Sequence, residues 1–276
     1  MISILRRIIA VALLMVILFG NTNAFAYVLD GDLSDWGVTP FVDWAPDSPT
    51  ADYAEGDDFT YWGAFLGSPS ESNDVEALYF DDDERYLYVA MVSSYYQGNP
   101  NSGDLAIDLD PNDGFDFEYG LDIKGAGRGG GTVRTNNLFK KPRWKDPENS
   151  NLDPAVVEAA GPSYINGFTI PGSYLGKIER VYERYNDMEA LAKGGDPTYW
   201  RTAWILEARI DRLLFDSVPV QGSQVAVHYA LTCANDFLDL HGDIDYPTIP
   251  EPATCLLFGV GLFGFAARTR RFRKKV

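Results

Sequence analysis

Cysteine and histidine are almost missing: the 276 residues hold two of each, Cys233 and Cys255, His228 and His241. With Cys255 inside a C-terminal apolar run, no internal disulfide is available to a folded body, so stability must come from packing and from any bound metal. The chain also lacks a Gly-x-Ser-x-Gly elbow and a His-Glu-x-x-His pair, and nothing near Cys233 activates a thiol. The expectation is therefore a protein that is not an enzyme. Basic residues are scarce as well, 23 against 40 acidic ones for a net charge of −17. That balance excludes nucleic acid as a partner, since a polyanion is repelled. What is present is apolar and aromatic, 46% and 14% of the residues, too much for a disordered acidic polymer and enough for one core.

The few charges at the two ends are ordered. Arg6 and Arg7 precede an uncharged run from Ile8 to Phe19, then Asn21-Thr22-Asn23 and Ala24-Phe25-Ala26. Basic head, apolar centre and small-x-small end make residues 1–26 a secretory signal peptide, handled by the secretion translocon and cut after Ala26 with Ala24 as the other small residue. Mature protein begins at Tyr27, outside the cytoplasm. At the other end, residues 246–276 carry Pro250-Glu251-Pro252, an uncharged stretch from Ala253 to Ala267, and a tail, 268–276, with Arg268, Arg270, Arg271, Arg273, Lys274 and Lys275. Positive charge holds such a tail inside and leaves the rest outside. Fifteen residues with Gly259, Gly261 and Gly264 form a short, soft apolar helix, an address more than a lasting anchor.

This order of Pro-Glu-Pro, weak apolar helix and arginine-rich end resembles the C-terminal sorting signal of PEP-CTERM proteins. The resemblance implies transient tethering in the inner membrane of a Gram-negative bacterium and recognition by an exosortase, a membrane-embedded cysteine transpeptidase. Cleavage near Pro250-Glu251-Pro252 would then release the protein to the cell surface or an exopolysaccharide matrix. Losing both ends removes eight basic residues and no acidic ones, which leaves 15 against 40 and a body of net charge −25. Such a surface attracts cations and meets anionic polysaccharide only through a bridging divalent ion.

The body, residues 27–245, reads as all-β. Tyr86 to Val92 is rich in β-formers with both alternating faces apolar, as in a central strand covered on both sides. Val75 to Phe80 pairs with it across an Asp81–Glu84 turn, while Trp204 to Ile210 and Val225 to Thr232 alternate. Residues 124–199 lack alternation and read mostly as a loop-rich insertion. Within it, Ile178, Val181, Tyr182, Tyr185, Met188 and Leu191 follow helical spacing and predict one helix near 178–192. The glycine run from Gly125 to Gly131 lacks a Lys-Ser/Thr ending, so no nucleotide is expected. Together these elements predict a jelly-roll-like β-sandwich with one inserted helix. Leu29-Asp30-Gly31-Asp32-Leu33-Ser34-Asp35-Trp36 resembles the opening of family 9 carbohydrate-binding modules and DOMON-like sandwiches, which implies a non-catalytic glycan-binding or structural module.

Chemistry concentrates between Gly103 and Ile123. A hairpin there with Leu105, Ile107, Tyr119 and Leu121 on one face places Asp104, Asp108, Asp110, Asp116, Glu118 and Asp122 on the other. Like charges opposed across strands need a counter-charge. Calcium, taking six to eight oxygens, is one answer, with Asp108, Asp110, Asn112 and Asp116 as ligands; a solvated acidic face is the other. Asp113 stands where an EF-hand needs glycine, so that loop is excluded. Asp30, Asp32 and Asp35 read as turn formers, and Trp36 as a core plug. Trp44, Tyr53, Tyr61 and Trp62 lie in a Pro/Asp/Gly-rich segment and are candidates for stacking on sugar, or for tucking into a sheet edge. Paired carboxylates also leave open a secreted glycan-active hydrolase. Met91 and His228 sit in apolar strands as packing residues, so no haem is expected. Cys233 reads as a buried thiol, and residues 236–245 as an acidic, extended spacer before the sorting signal.

Overall fold

The computed structural model describes residues 27–40, 42–56, 75–93, 102–111, 117–123, 136–147, 158, 160–165, 174–185, 203–234 and 236–246. Their strands are β1 (Asp52–Glu55), β2 (Val75–Asp82), β3 (Tyr86–Ser93), β4 (Leu105–Asp108), β5 (Tyr119–Asp122), β6 (Asn137–Lys140), β7 (Trp144–Lys145), β8 (Tyr164–Ile165), β9 (Tyr174–Lys177), β10 (Glu179–Tyr185), β11 (Ala203–Asp211), β12 (Gln224–Ala230) and β13 (Phe237–Asp243). The apolar-on-both-faces strand β3 lies at the centre of a five-stranded antiparallel sheet, ordered β1-β2-β3-β11-β10. A second sheet runs β13-β12-β4-β5-β6-β9, and β7 with β8 makes a separate two-stranded ribbon.

One face of each sheet turns inward. Leu78, Phe80, Leu87, Val89, Met91, Leu206 and Ile210 from the first meet Leu105, Ile107, Leu121, Leu138, Val225, Val227 and Tyr229 from the second in one buried core. This is the all-β sandwich that the alternation predicts. The outer face of the five-stranded sheet is covered too. Tyr27, Leu33, Trp36 and Val38 pack on Ala77, Tyr79, Tyr88, Ala90, Val92 and Ile205, which is why β3 has no polar face. Each fully buried apolar side chain of this kind contributes roughly 1.5–3 kcal/mol before the entropy of ordering is subtracted.

Three expectations change. Over 178–185 the chain is a strand, not a helix: β10 pairs with β11 from Glu179↔Arg209 to Tyr185↔Ala203, and residues 186–192 lie outside the described residues. The segment 124–199 is also more than a loop-rich insertion, because its described residues supply β6 to β10, three of them paired within the two main sheets. β9 pairs with β6 in one sheet and β10 with β11 in the other, so Ile178 between them, buried in the core, is where the chain crosses and closes that side of the sandwich. Finally, 236–245 is no spacer. β13 pairs along its whole length with β12, and the chain just beyond β13 is clamped. The buried Arg212 guanidinium donates to Asp82 Oδ2 at 2.9 Å and to the carbonyls of Tyr246 at 3.0 Å and Pro219 at 2.6 Å. Asp82 in turn accepts the backbone N–H of Asp245 at 2.8 Å and of Tyr246 at 3.2 Å.

Candidate functional site

The β4–β5 hairpin has the register that aligns its apolar faces, Leu105↔Leu121 and Ile107↔Tyr119. Its described acidic residues consequently lie on the outer side, but they do not act as one group. Asp104 is a structural peg, Oδ1 accepting Ile123 N and Oδ2 accepting Ile165 N, both at 2.9 Å. The second of these bonds ties the β7–β8 ribbon over the sheet, where Trp144 and Ile165 cover Gly120.

Asp108, Asp110 and Glu118 do converge, with one carboxylate oxygen from each within 4.8 Å of the others. Asp108 is buried at the end of β4, Asp110 is exposed and Glu118 is half-buried. Local backbone bonds fix them: Asp110 N donates to Asp108 Oδ1 at 2.9 Å, and Leu109 N to Glu118 Oε2 at 3.2 Å. Burial pushes Glu118 up to about 7, with hydrogen bonding to the Asp110 carboxyl and the charge of Asp108 adding to the rise. Near pH 7 the trio can hold a proton between Glu118 and Asp110, or exchange it for a hard cation. An all-oxygen donor set selects calcium or magnesium over zinc or copper. Of the four predicted ligands, Asp108 and Asp110 come together here, whereas Asn112 and Asp116 lie outside the described residues. Glu118 joins them because the register that pairs Ile107 with Tyr119 sets the next residues toward the turn, Asp108 and Glu118, opposite each other.

A second feature is an aromatic ladder on the outer face of the five-stranded sheet. Tyr86 approaches Tyr88 with centroids 6.1 Å apart, Tyr88 approaches Tyr27 at 5.2 Å, and Tyr27 stacks on Trp36 at 3.8 Å. Trp36 then meets Tyr79 at 5.9 Å, and Tyr79 lies parallel to Tyr53 at 6.3 Å and 14°. The inner rungs are buried, Trp36 as the predicted plug, but Tyr53 on the edge strand β1 is 42% exposed. Trp44 is half-buried beside this end, its carbonyl accepting the Tyr79 hydroxyl at 3.0 Å. Tyr61 and Trp62 lie outside the described residues.

The ladder is held by Glu207, fully buried in the middle of β11. Its Oε2 accepts Gly31 N at 2.7 Å and Asp30 N at 3.1 Å, and its Oε1 accepts Trp36 Nε1 at 3.2 Å. Burial raises its pKa to about 7. The Asp-Gly turn and the tryptophan of the opening motif are thus two ends of one anchor. Asp30, Asp32 and Asp35 serve the same turn: Asp30 Oδ1 accepts Asp32 N, Asp32 Oδ1 accepts Ser34 N, and Asp35 Oδ2 accepts Val28 N. In the sequence Glu207 is only a polar residue on the outward side of an alternating strand; nothing in the pattern shows that residues 27–38 cover it.

His228 is engaged at both ring nitrogens, Nδ1 with Asp239 Oδ1 at 2.7 Å and Nε2 with the Pro162 carbonyl at 3.1 Å. It lies on the outer side of its sheet, whereas Met91 is in the inter-sheet core, so the two do not converge. Cys233 is a half-buried thiol packed against that core.

Ala24, Ala26, Pro250, Glu251, Pro252, Arg268, Arg270 and Arg271 lie outside the described residues. For the C-terminal group the comparison with known families speaks directly: the PEP-CTERM protein-sorting motif matches residues 248–271. The chain therefore carries the sorting motif of an exported, exosortase-processed protein. Among curated proteins none matches the chain.

Proposed function

We propose that the protein is a non-catalytic, calcium-dependent glycan-binding module, exported from a Gram-negative bacterium and held at the cell surface or in the exopolysaccharide matrix. The observation that carries this reading is Tyr53, an exposed ring at the open end of an otherwise buried ladder and parallel to the ring beneath it. A rigid aromatic face on a sheet edge offers stacking area to a sugar ring at little cost in side-chain freedom. The resemblance of the opening motif to carbohydrate-binding modules supports the same reading by analogy. Calcium at Asp108, Asp110 and Glu118 is its second element, supplying positive charge to a body of net charge −25.

A glycan array of the mature protein, run with millimolar calcium and with EDTA, tests both elements. Retention is expected in calcium, lost in Tyr53→Ala and reduced in EDTA; equal retention of the variant would remove Tyr53 from the site. One observation favours the hydrolase alternative, the raised pKa of Glu118, which suits a general acid. Against it, Glu118 is tied within the trio, hydrogen-bonded to the Asp110 carboxyl and accepting Leu109 N, so its proton is shared inside the cluster. Turnover of the producer's polysaccharide that vanishes in Glu118→Gln would establish that alternative.

A further inference from the structure

Tyr246 is the last of the described residues and is held by the Asp82–Arg212 clamp, and the sorting motif begins at Thr248. Only Pro247, Thr248 and Ile249 separate clamped Tyr246 from Pro250. Fully extended, that link reaches at most about 14 Å. The clamp is firmly made. Arg212 and Asp82 are both 1% exposed, the guanidinium also takes the Asp83 carbonyl at 2.5 Å, and Gln221 Nε2 donates to the Asp245 carbonyl at 2.7 Å. Gly222 N and Ile244 N add backbone bonds to Ile244 O and Ser223 O, each at 2.8 Å. Removing one partner of such a pair strands a buried charge, so the clamp does not open readily.

An enzyme that grips an extended peptide does so by main-chain bonds over several residues. With three residues to spare, the wall of its cleft must abut the folded rim around the clamp. Two large apolar side chains are exposed on that rim, Leu213 at 64% and Val220 at 57%. Each is the chain neighbour of a clamp member, Arg212 and Pro219. We infer that this rim, centred on Leu213 and Val220, is a docking surface for the exosortase that cuts the motif, so that the enzyme reads the folded body together with Pro-Glu-Pro. The inference rests on exosortase processing and is independent of glycan binding.

The test measures conversion of the full-length chain in exosortase-positive cells by pulse-chase. Leu213→Asp with Val220→Asp is expected to slow conversion about tenfold, the scale of a lost apolar anchor, without changing the melting temperature. Inserting twelve Gly and Ser residues between Tyr246 and Pro247 in that variant is expected to restore the rate, because the rim then no longer meets the enzyme. A photo-cross-linker at position 220 of the otherwise unaltered chain is expected to capture the enzyme. Conversion of the double variant at the unaltered rate, a defect that the insertion leaves in place, or cross-links to lipid alone would each overturn the proposal. An unaltered chain that keeps Arg268 to Val276 would instead remove the processing on which it rests.

Discussion

Glu207 and Glu118 carry the same group in two settings, and the difference lies in the groups that face them. Glu207 is surrounded by donors, two backbone N–H groups and an indole. Glu207→Ala leaves the three donors buried, at roughly 1–3 kcal/mol for each one that water does not reach. The expected loss is about 2–5 kcal/mol, read by denaturant unfolding, together with exposure of Trp36 in its fluorescence. Glu118 faces carboxylates instead. Both groups are raised from 4.5 to about 7 in the fold, and Asp82 from 3.8 to about 6, its burial outweighing Arg212 and two N–H donors. A raised acid means that the folded chain holds more protons than the unfolded one between the two pKa values. The stability the two glutamates lend is full below about pH 4.5 and falls away as pH rises through 7, and that of Asp82 is full below about 3.8 and falls away through 6. The melting temperature is therefore expected to be higher at pH 5 than at pH 8, with a shallower slope in Glu118→Gln; a melting temperature that rises over that interval would refute the sign.

At the scale of the element, the β7–β8 ribbon shows how closely the outer face is fitted. A Cβ on Gly120 would lie 2.8 Å from the Trp144 ring and 2.9 Å from Ile165 Cδ1. Gly120→Ala must lift the ribbon, at about 1–3 kcal/mol, and amide exchange at Ile165 should accelerate, while exchange in β3 should not change. The ribbon is invisible in the sequence, since two-residue strands have no period to detect. Longer strands are legible wherever one rule applies throughout: β3 is apolar on both sides because both are covered, and β11 alternates about its buried half. β10 misleads because the strand from Tyr174 to Tyr185 changes sheets at Ile178. Ile178 turns into the inter-sheet core while Val181 lies under Gly31 on the outside, and that mixture imitates helical spacing. The acidic hairpin is legible in register and face. Its six carboxylates are not legible as separate tasks, because sequence spacing cannot show that Ile123 N and Ile165 N claim Asp104.

The whole molecule is a sandwich of net charge −25 once its ends are removed, and self-repulsion of that size weakens the compact state. Any salt relieves part of it, so calcium must be compared with sodium chloride at equal ionic strength. A specific site at Asp108, Asp110 and Glu118 predicts a rise in melting temperature at millimolar calcium beyond the sodium control, by mass action on the folded state. That excess should disappear in Asp108→Asn with Glu118→Gln. Binding also displaces the shared proton, so affinity should increase as pH passes 7. Binding of glycan by this exported body at an exposed aromatic edge, without cutting it, can be read in one titration. Mature protein, unaltered and as Tyr53→Ala, is titrated calorimetrically with the producer's own purified exopolysaccharide in calcium, and the polymer is sized afterwards. Saturable binding by the unaltered protein, at least about tenfold weaker binding by the variant, and polymer of unchanged length are expected; equal affinity of the two proteins, or a shortened polymer, would refute binding at Tyr53 without turnover.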